Sequence, residues 1–245
     1  VMNSRVLSAI KLGAKILHDF LGTTKRIDAF VVPSEFTLKK LNEFGIPQKK
    51  LNHIPTFFNL KQTPDKITYE PYFLFVGRIE KQKGLQTLID AFTNTDLKLK
   101  IIGFSNNGYE EELKNSLNGK QHHIEFLGQK TFEEIEQYLK TCLCTIVPSE
   151  WYDNFPNTIL ESFAYKKPVI ATNFGSLPEL VKDRETGLLF KYRDTNDLIQ
   201  KCNELVNHPD KAIEMGLKAY KTIESVYSAE KHYSTLIKVF QKVLK

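Results

Sequence analysis

The stretch Val147-Pro-Ser-Glu-Trp-Tyr-Asp-Asn-Phe-Pro-Asn-Thr-Ile-Leu-Glu161 decides how this chain is read. It runs from an apolar strand through a turn into a helix and carries a carboxylate on each side of the helix start. Pro156 suits a first helical position, where a missing N–H costs nothing. From there to Glu161 is roughly 7.5 Å of axial rise, so Asp153 belongs to the loop ahead of the helix tip and Glu161 to its flank. Between them, the unpaired N–H groups and positive dipole end of the helix suit a phosphate. The spacing alone fits two readings, an ordinary strand-to-helix connection or a ligand site. Trp151, Tyr152 and Phe155 favour the second, because bulky apolar groups in a loop built for exposure fit the wall of a cleft.

A second signal lies upstream in Tyr72-Phe-Leu-Phe-Val-Gly77-Arg78-Ile-Glu-Lys81-Gln-Lys83-Gly84, followed by the helical pattern Leu85, Leu88, Ile89, Phe92. Cations at a helix start are unfavourable by about 0.3 to 1 kcal/mol in exposed cases, yet Arg78, Lys81 and Lys83 gather there. Either they splay into solvent, or something anionic relieves them. Gly77 and Gly84, which let a ligand approach the backbone closely, favour the anion.

Strand-like runs at Tyr72–Val76, Leu97–Ile102, Ile124–Leu127, Leu143–Val147, Val169–Thr172 and Leu188–Phe190 alternate with helical patterns. That order predicts an α/β fold, a parallel sheet with helices on both faces. Thr131-Phe-Glu-Glu134 reads as a capping box opening a helix through Leu139, and Asp194–Val206 reads as another helix. Gly77, Gly103, Gly128, Pro148 and Thr172 fall at strand ends, beyond which ligands lie in open sheets of this kind. Gly103 with Gly108 fits a ligand-facing turn or a plain surface loop.

The ordered set Val-Gly77-Arg78, Lys83-Gly84, Phe126-Leu-Gly128, Pro148-Ser with its acid pair, Pro168-Val-Ile-Ala-Thr and Gly175-Ser-Leu-Pro-Glu179 resembles the family 4 glycosyltransferases, also called glycosyltransferases group 1, over roughly Phe73 to Phe190. The resemblance implies a GT-B fold, two Rossmann-like domains facing across a cleft, and transfer of a sugar from a nucleotide-diphosphate donor with retention of anomeric configuration. It implies that Arg78 and Lys83 hold the donor diphosphate and that Glu161, the second acid of the Glu-x7-Glu motif, accepts from the ribose hydroxyls. Asp153 matches the first acid, at the sugar. This chain departs from the commonest form by having Asp there instead of Glu, which shortens the reach by one methylene. Gly77 and Asn154, Phe155, Pro156, Asn157 and Thr158 match backbone that meets the diphosphate, and Gln129 with Lys130 match the turn bordering the base. The implied partners are a UDP-, GDP- or ADP-sugar and a glycan or lipid-linked acceptor in cell-surface polysaccharide synthesis. No cofactor and no metal are expected, and the chain has no Asp-x-Asp motif of the metal-holding kind.

By the same resemblance, residues 1-58 form a remnant of the N-terminal acceptor-side domain, 59-71 a linker rich in turn residues, 72-226 the donor-binding domain, and 227-245 a helix packing back toward the N-terminal part. In the first part the pattern predicts a helix over Asn3–Phe20, a strand at Ala29–Val32, a helix over Glu35–Phe44 and an extended run ending at Ile54-Pro55. So short a remnant buries little, which leaves Val6, Leu7, Ile10, Ile16, Leu17, Phe20 and Leu21 poorly covered. Val1 ahead of Met2 reads as other than a natural start. The expectation is a chain that binds donor and transfers sugar feebly, because the family's acceptor site and catalytic-side histidine fall outside it.

The formal net charge of +5, from 34 basic and 29 acidic residues, is spread along the chain and does not imply nucleic acid. A basic excess also suits an anionic membrane surface. The apolar spacing of Tyr233, Leu236, Ile237, Phe240, Val243 and Leu244 fits such contact or, preferably, core packing. No apolar run spans a bilayer, since Lys11, Lys15 and Asp19 interrupt the first helix, and no signal peptide is legible. Three cysteines, Cys142, Cys144 and Cys202, favour buried thiols in a reducing compartment over a disulfide framework or zinc. The expected location is cytoplasmic, at or near the inner membrane face. Two rivals stay open: a non-catalytic fragment that binds nucleotide sugar, and another GT-B enzyme such as a nucleotide-sugar epimerase or a phosphorylase, though no lysine motif for pyridoxal phosphate is present.

Overall fold

Strand and helix alternate along the chain as the hydrophobic pattern dictates. The computed structural model describes residues 5–59 and 68–244, so most of the expected linker, and Asn3, lie outside the described residues. Two compact units result, one of Val1–Ile54 with Tyr233–Lys245, the other of Pro55–His232.

In the first unit, helix α1 (Arg5–Phe20) precedes strand β1 (Phe30–Val32), helix α2 (Glu35–Glu43) and strand β2 (Leu51–His53). The strands pair in parallel with Phe30 opposite Leu51. Ser34 opens α2 by accepting a hydrogen bond from the Thr37 N–H at 3.2 Å, the standard way to satisfy an orphan donor at a helix start. The core is small, built on Val32, Leu38 and Leu51. The apolar side chains of α1 are exposed, Phe20 at 86 %.

The second unit holds six strands: β3 (Tyr72–Val76), β4 (Lys98–Ile102), β5 (His123–Phe126), β6 (Cys144–Val147), β7 (Val169–Thr172) and β8 (Gly187–Phe190). Each lies within one residue of the sequence expectation. All pair in parallel in the order β5-β4-β3-β6-β7-β8. Strands buried on both faces read as continuous apolar runs, and β6 and β7 are buried throughout. Side chains alternate between faces. Phe73 and Phe75 join a core with helices α3 (Leu85–Phe92), α4 (Tyr109–Ser116) and α8 (Thr195–Asn207). Tyr72 and Leu74 join one with Leu139 of α5 (Phe132–Thr141) and Ala164 of α6 (Asn157–Ala164). α7 (Leu177–Leu180) and α9 (Pro209–Ser225) pack with α6 in a third cluster.

The capping box forms in full: the Thr131 hydroxyl accepts from Glu134 N–H at 3.3 Å, and the Glu134 carboxylate accepts from Thr131 N–H at 2.9 Å. Helix α10 (Ala229–Val243) has no fully buried residue: Leu236 and Ile237 are half-buried, while Tyr233, Phe240 and Val243 are exposed, and from Tyr233 onward it groups with the first unit.

Chain order reverses between β3 and β6, so the loops leaving these neighbouring strands diverge and open a crevice. Two close approaches shape its edge. Gly84 takes φ +72° directly under the Pro148 carbonyl, where any Cβ would collide with that oxygen, and Gly103 lies as closely against the Gly77 carbonyl. Gly84→Ala therefore combines a left-handed strain with a backbone clash. A tolerated Gly→Ala exchange stabilises by about 0.4–1 kcal/mol, and we expect this one instead to destabilise by more than that amount, read as a lower midpoint in urea unfolding. An unchanged midpoint would show that the two loops are not pressed together.

Candidate functional site

The crevice between β3 and β6 holds a hollow of about 60 Å³ lined by Val76, Gly77, Lys83, Pro148, Ser149, Asp153, Pro156 and Thr158, over Phe75, Ile146 and Val147. The short turn Lys81–Lys83 after β3 presents Lys83, and the loop after β6 presents Asp153. The Lys83 ammonium donates to Asp153 Oδ1 at 2.7 Å, with both side chains largely buried. Asp153 Oδ2 is buried with no hydrogen-bond partner. Buried carboxylate oxygens are ordinarily satisfied, so this one is an acceptor open to a hydrogen-bond donor.

The tip of α6 completes the hollow. Pro156 is the residue before the helix, at φ −71° and ψ 113°, not its first helical residue as the sequence suggested. Its carbonyl already accepts from Ile159 N–H at 3.1 Å, and lacking an N–H is as harmless at this half-in position as one residue later. No side chain caps α6, so the Asn157 and Thr158 N–H groups, ahead of Ile159, are left for another acceptor. The Thr158 hydroxyl donates to the Val76 carbonyl at 3.3 Å and ties the tip to the end of β3. Glu161 follows Thr158 by three residues, on the adjoining part of the same helix face. Its carboxylate has no hydrogen bond or ion pair among the described residues, and burial holds its pKa above the ordinary glutamate value.

The remaining residues singled out from the sequence sort into three places. Gly77 lines the hollow and donates its N–H to the Ile102 carbonyl at 3.0 Å. Arg78 is largely exposed and pairs with Glu80 at 2.7 Å, while Lys81 pairs with Glu112 at 3.3 Å. The crowded cations are thus paired with the chain's own carboxylates. Asn154 and Asn157 are exposed beside the hollow. Phe155 turns away from it to pack edge-on against Tyr227 at 5.8 Å, and Trp151 and Tyr152 project into solvent, so these three do not wall the hollow. Gln129 and Lys130 lie on the turn after β5 and do not line it, Lys130 pairing with Glu134 at 3.2 Å.

Sequence reasoning missed Glu150 and Ser176. Glu150 accepts from the Thr87 hydroxyl at 2.6 Å and from Arg193 Nε at 2.5 Å, and its N–H donates to the Gln82 carbonyl at 2.9 Å. It fastens the loop after β6 to α3 and to the loop after β8. Ser176, fully buried, donates to the Asp153 carbonyl. No local pattern links Glu150 to partners so distant along the chain; the one signal was an acid beside the strand end. Cys142, Cys144 and Cys202 are buried free thiols, and burial pushes the Cys142 thiol up to about 12.

The family described as glycosyl transferases group 1 matches residues 57–222. An uncharacterized glycosyltransferase of Methanocaldococcus jannaschii is 36% identical over 173 residues, 69% of this chain and 48% of that protein. O-antigen chain mannosyltransferase C of Escherichia coli is 23% identical over 223 residues, 87% of this chain and 58% of that one. Among solved structures, Anabaena HepE in complex with UDP and glucose superposes with a TM-score of 0.80 at 18% identity, over 88% of this chain and 63% of its own. The chain spans about half the length of the curated relatives it matches. Among the described residues no helix is long and apolar enough to cross a membrane.

The raised Glu161 pKa has a consequence for stability. The folded state keeps this proton to higher pH than the unfolded chain does, so the contribution is fully present below the ordinary glutamate pKa of about 4.3 and lost as pH rises through the window above it. Glu161→Gln is therefore expected to raise the urea midpoint at neutral pH, with the gain shrinking as pH falls below that window. A variant less stable than the parent at neutral pH would show that the carboxylate is satisfied within the fold.

Proposed function

This chain belongs to the glycosyl transferases group 1 and has the GT-B type of α/β fold, and from that premise we propose that Pro55–His232 binds a nucleotide-diphosphate sugar and supplies the donor side of a retaining hexosyl transfer. The observation that carries this reading is a buried, unsatisfied carboxylate oxygen beside an uncapped helix start. Asp153 Oδ2 is buried without a partner, Glu161 stands half-buried further along the helix with its pKa raised by desolvation, and the start of α6 lies between them. A diphosphate carrying a ribose on one side and a sugar on the other satisfies all three at once.

In this arrangement the diphosphate rests on the first turn of α6, with the helix dipole and the Lys83 ammonium facing it. The Arg78 guanidinium swings in from its exposed pairing with Glu80. Glu161 accepts from the ribose hydroxyls, and Asp153 from a hydroxyl of the transferred sugar. As the bond from the anomeric carbon to the diphosphate breaks, negative charge grows on the departing oxygen, and the cations and helix N–H groups stabilise it. Without ligand, Lys83 and Asp153 neutralise each other; donor entry lets the ammonium bridge carboxylate and phosphate. Gln129 and Lys130 border the base at the β5 side. A hexose donor and a cell-surface glycan acceptor are supported by relatives such as the O-antigen mannosyltransferase, and UDP by HepE. No metal ion takes part in this scheme.

Calorimetry with UDP, GDP and ADP tests the reading. One of the three is expected to bind, and Lys83→Ala to weaken it by about tenfold to a hundredfold, the range for a hydrogen bond to a charged group, while changing affinity for the bare nucleoside little. Equal affinity of parent and variant for the diphosphate would remove Lys83 from the site and with it the proposed donor pose.

A further inference from the structure

Beyond the donor hollow, the exits of β6, β7 and β8 carry an aromatic ladder. Tyr152, after β6, stacks on Phe174, after β7, with centroids 4.9 Å apart and planes 13° from parallel. Phe174 in turn meets Tyr192, after β8, at 4.7 Å and 36°, and the Arg193 guanidinium lies 5.0 Å from the Tyr192 ring centre. Trp151, beside Tyr152, is 60 % exposed, Tyr152 53 % and Tyr192 40 %. Three adjacent loops thus bring large rings together and leave much of their surface in water, which costs hydrophobic free energy unless something covers it.

We propose that this ladder is an additional platform for the glycan acceptor, distinct from the acceptor site that the resemblance places outside this chain, on which a pyranose ring lays its C–H face. The inference rests on the glycosyl-transfer reading and names the side from which the second substrate approaches. A pyranose is amphipathic, with an apolar face and a rim of hydroxyls. The ladder offers the complement: ring faces in the middle, with the Arg193 guanidinium at the edge. Arg193 is fixed by its bond to Glu150, which is fastened in turn to Thr87. Position in the sheet supports the same occupant. The donor hollow opens between β3 and β6, the proposed base side extends toward β5, and the ladder occupies the opposite flank, toward β8. Tyr152 directly precedes Asp153, the residue placed at the transferred sugar, and the Ser176 hydroxyl ties the Asp153 carbonyl to the segment just past Phe174. A sugar on the ladder therefore sits next to the reacting end of the donor.

The chain has a single tryptophan, Trp151, so its fluorescence reports on this surface alone. Titration of the full chain with short α-linked mannose and glucose oligosaccharides is expected to give a saturable change in emission with at least one series. Tyr192→Ala should weaken that binding by roughly tenfold, the scale of one lost ring contact, and Tyr192→Phe should restore it. Nucleoside diphosphate affinity, measured by calorimetry on the same variants, should not move. No saturable signal from either series, or equal affinity for sugar in Tyr192→Ala, would overturn the platform even where the nucleotide binds. Sugar binding that depends on Tyr192 in a chain that binds no nucleoside diphosphate would sustain the platform and sink the donor reading. Light scattering that shows a dimer abolished by Tyr192→Ala would reassign the ladder to self-association.

Discussion

The close approach of Gly84 to the Pro148 carbonyl is the constraint on which the site depends. β3 and β6 are neighbours in the sheet, yet the loops leaving them run in opposite directions. Left to ordinary side chains, those loops would stand apart. Because Gly84 has no Cβ and takes a left-handed φ, the turn carrying Lys83 folds down against the exit of β6, and the lysine reaches Asp153. Glu150 secures the same junction from the other side through Thr87 and Arg193. The hollow is thus framed by backbone and buried polar contacts rather than by mobile surface groups, which is what a site needs if its charges are to be in place before the ligand arrives.

What that frame encloses is electrostatically unfinished. One oxygen of Asp153 is paired with Lys83 and the other is buried without a partner, while Glu161 is half-buried with its pKa raised by desolvation. Leaving a buried acceptor unsatisfied costs roughly 1–3 kcal/mol. That cost at Asp153 has a direct rationale if a hydroxylated ligand satisfies it. Thr172, whose hydroxyl is also buried and unpaired, is a similar feature for which the fold gives no account.

How much of this was legible in the sequence follows from which interactions are local. β3, β6 and β7 could be placed because strands buried on both faces are largely continuous apolar runs, whereas β4 and β5 show the alternation of half-exposed strands. The capping box at Thr131 and the uncapped start of α6 are local in the same sense. Asp153 and Lys83 were singled out separately, but their 2.7 Å contact is made by tertiary folding alone. Glu150 was invisible for that reason. Its partners come from α3 and from the loop after β8, and nothing in the spacing joins them. Phe155 misled because a bulky ring in a polar loop can line a cleft or seal a core, and here it seals one with Tyr227. Helix α9 went unassigned because small residues serve its packing, as at Gly216, which lies against the Lys166 carbonyl, and such a face makes little hydrophobic pattern.

The most direct measurement is a crystal structure of the full chain soaked with the nucleoside diphosphate that calorimetry selects. The diphosphate should lie over the first turn of α6, within hydrogen-bond reach of the Lys83 ammonium, with the ribose hydroxyls on Glu161. A nucleotide found elsewhere on the sheet, with Lys83 still locked to Asp153 and Glu161 untouched, would contradict it.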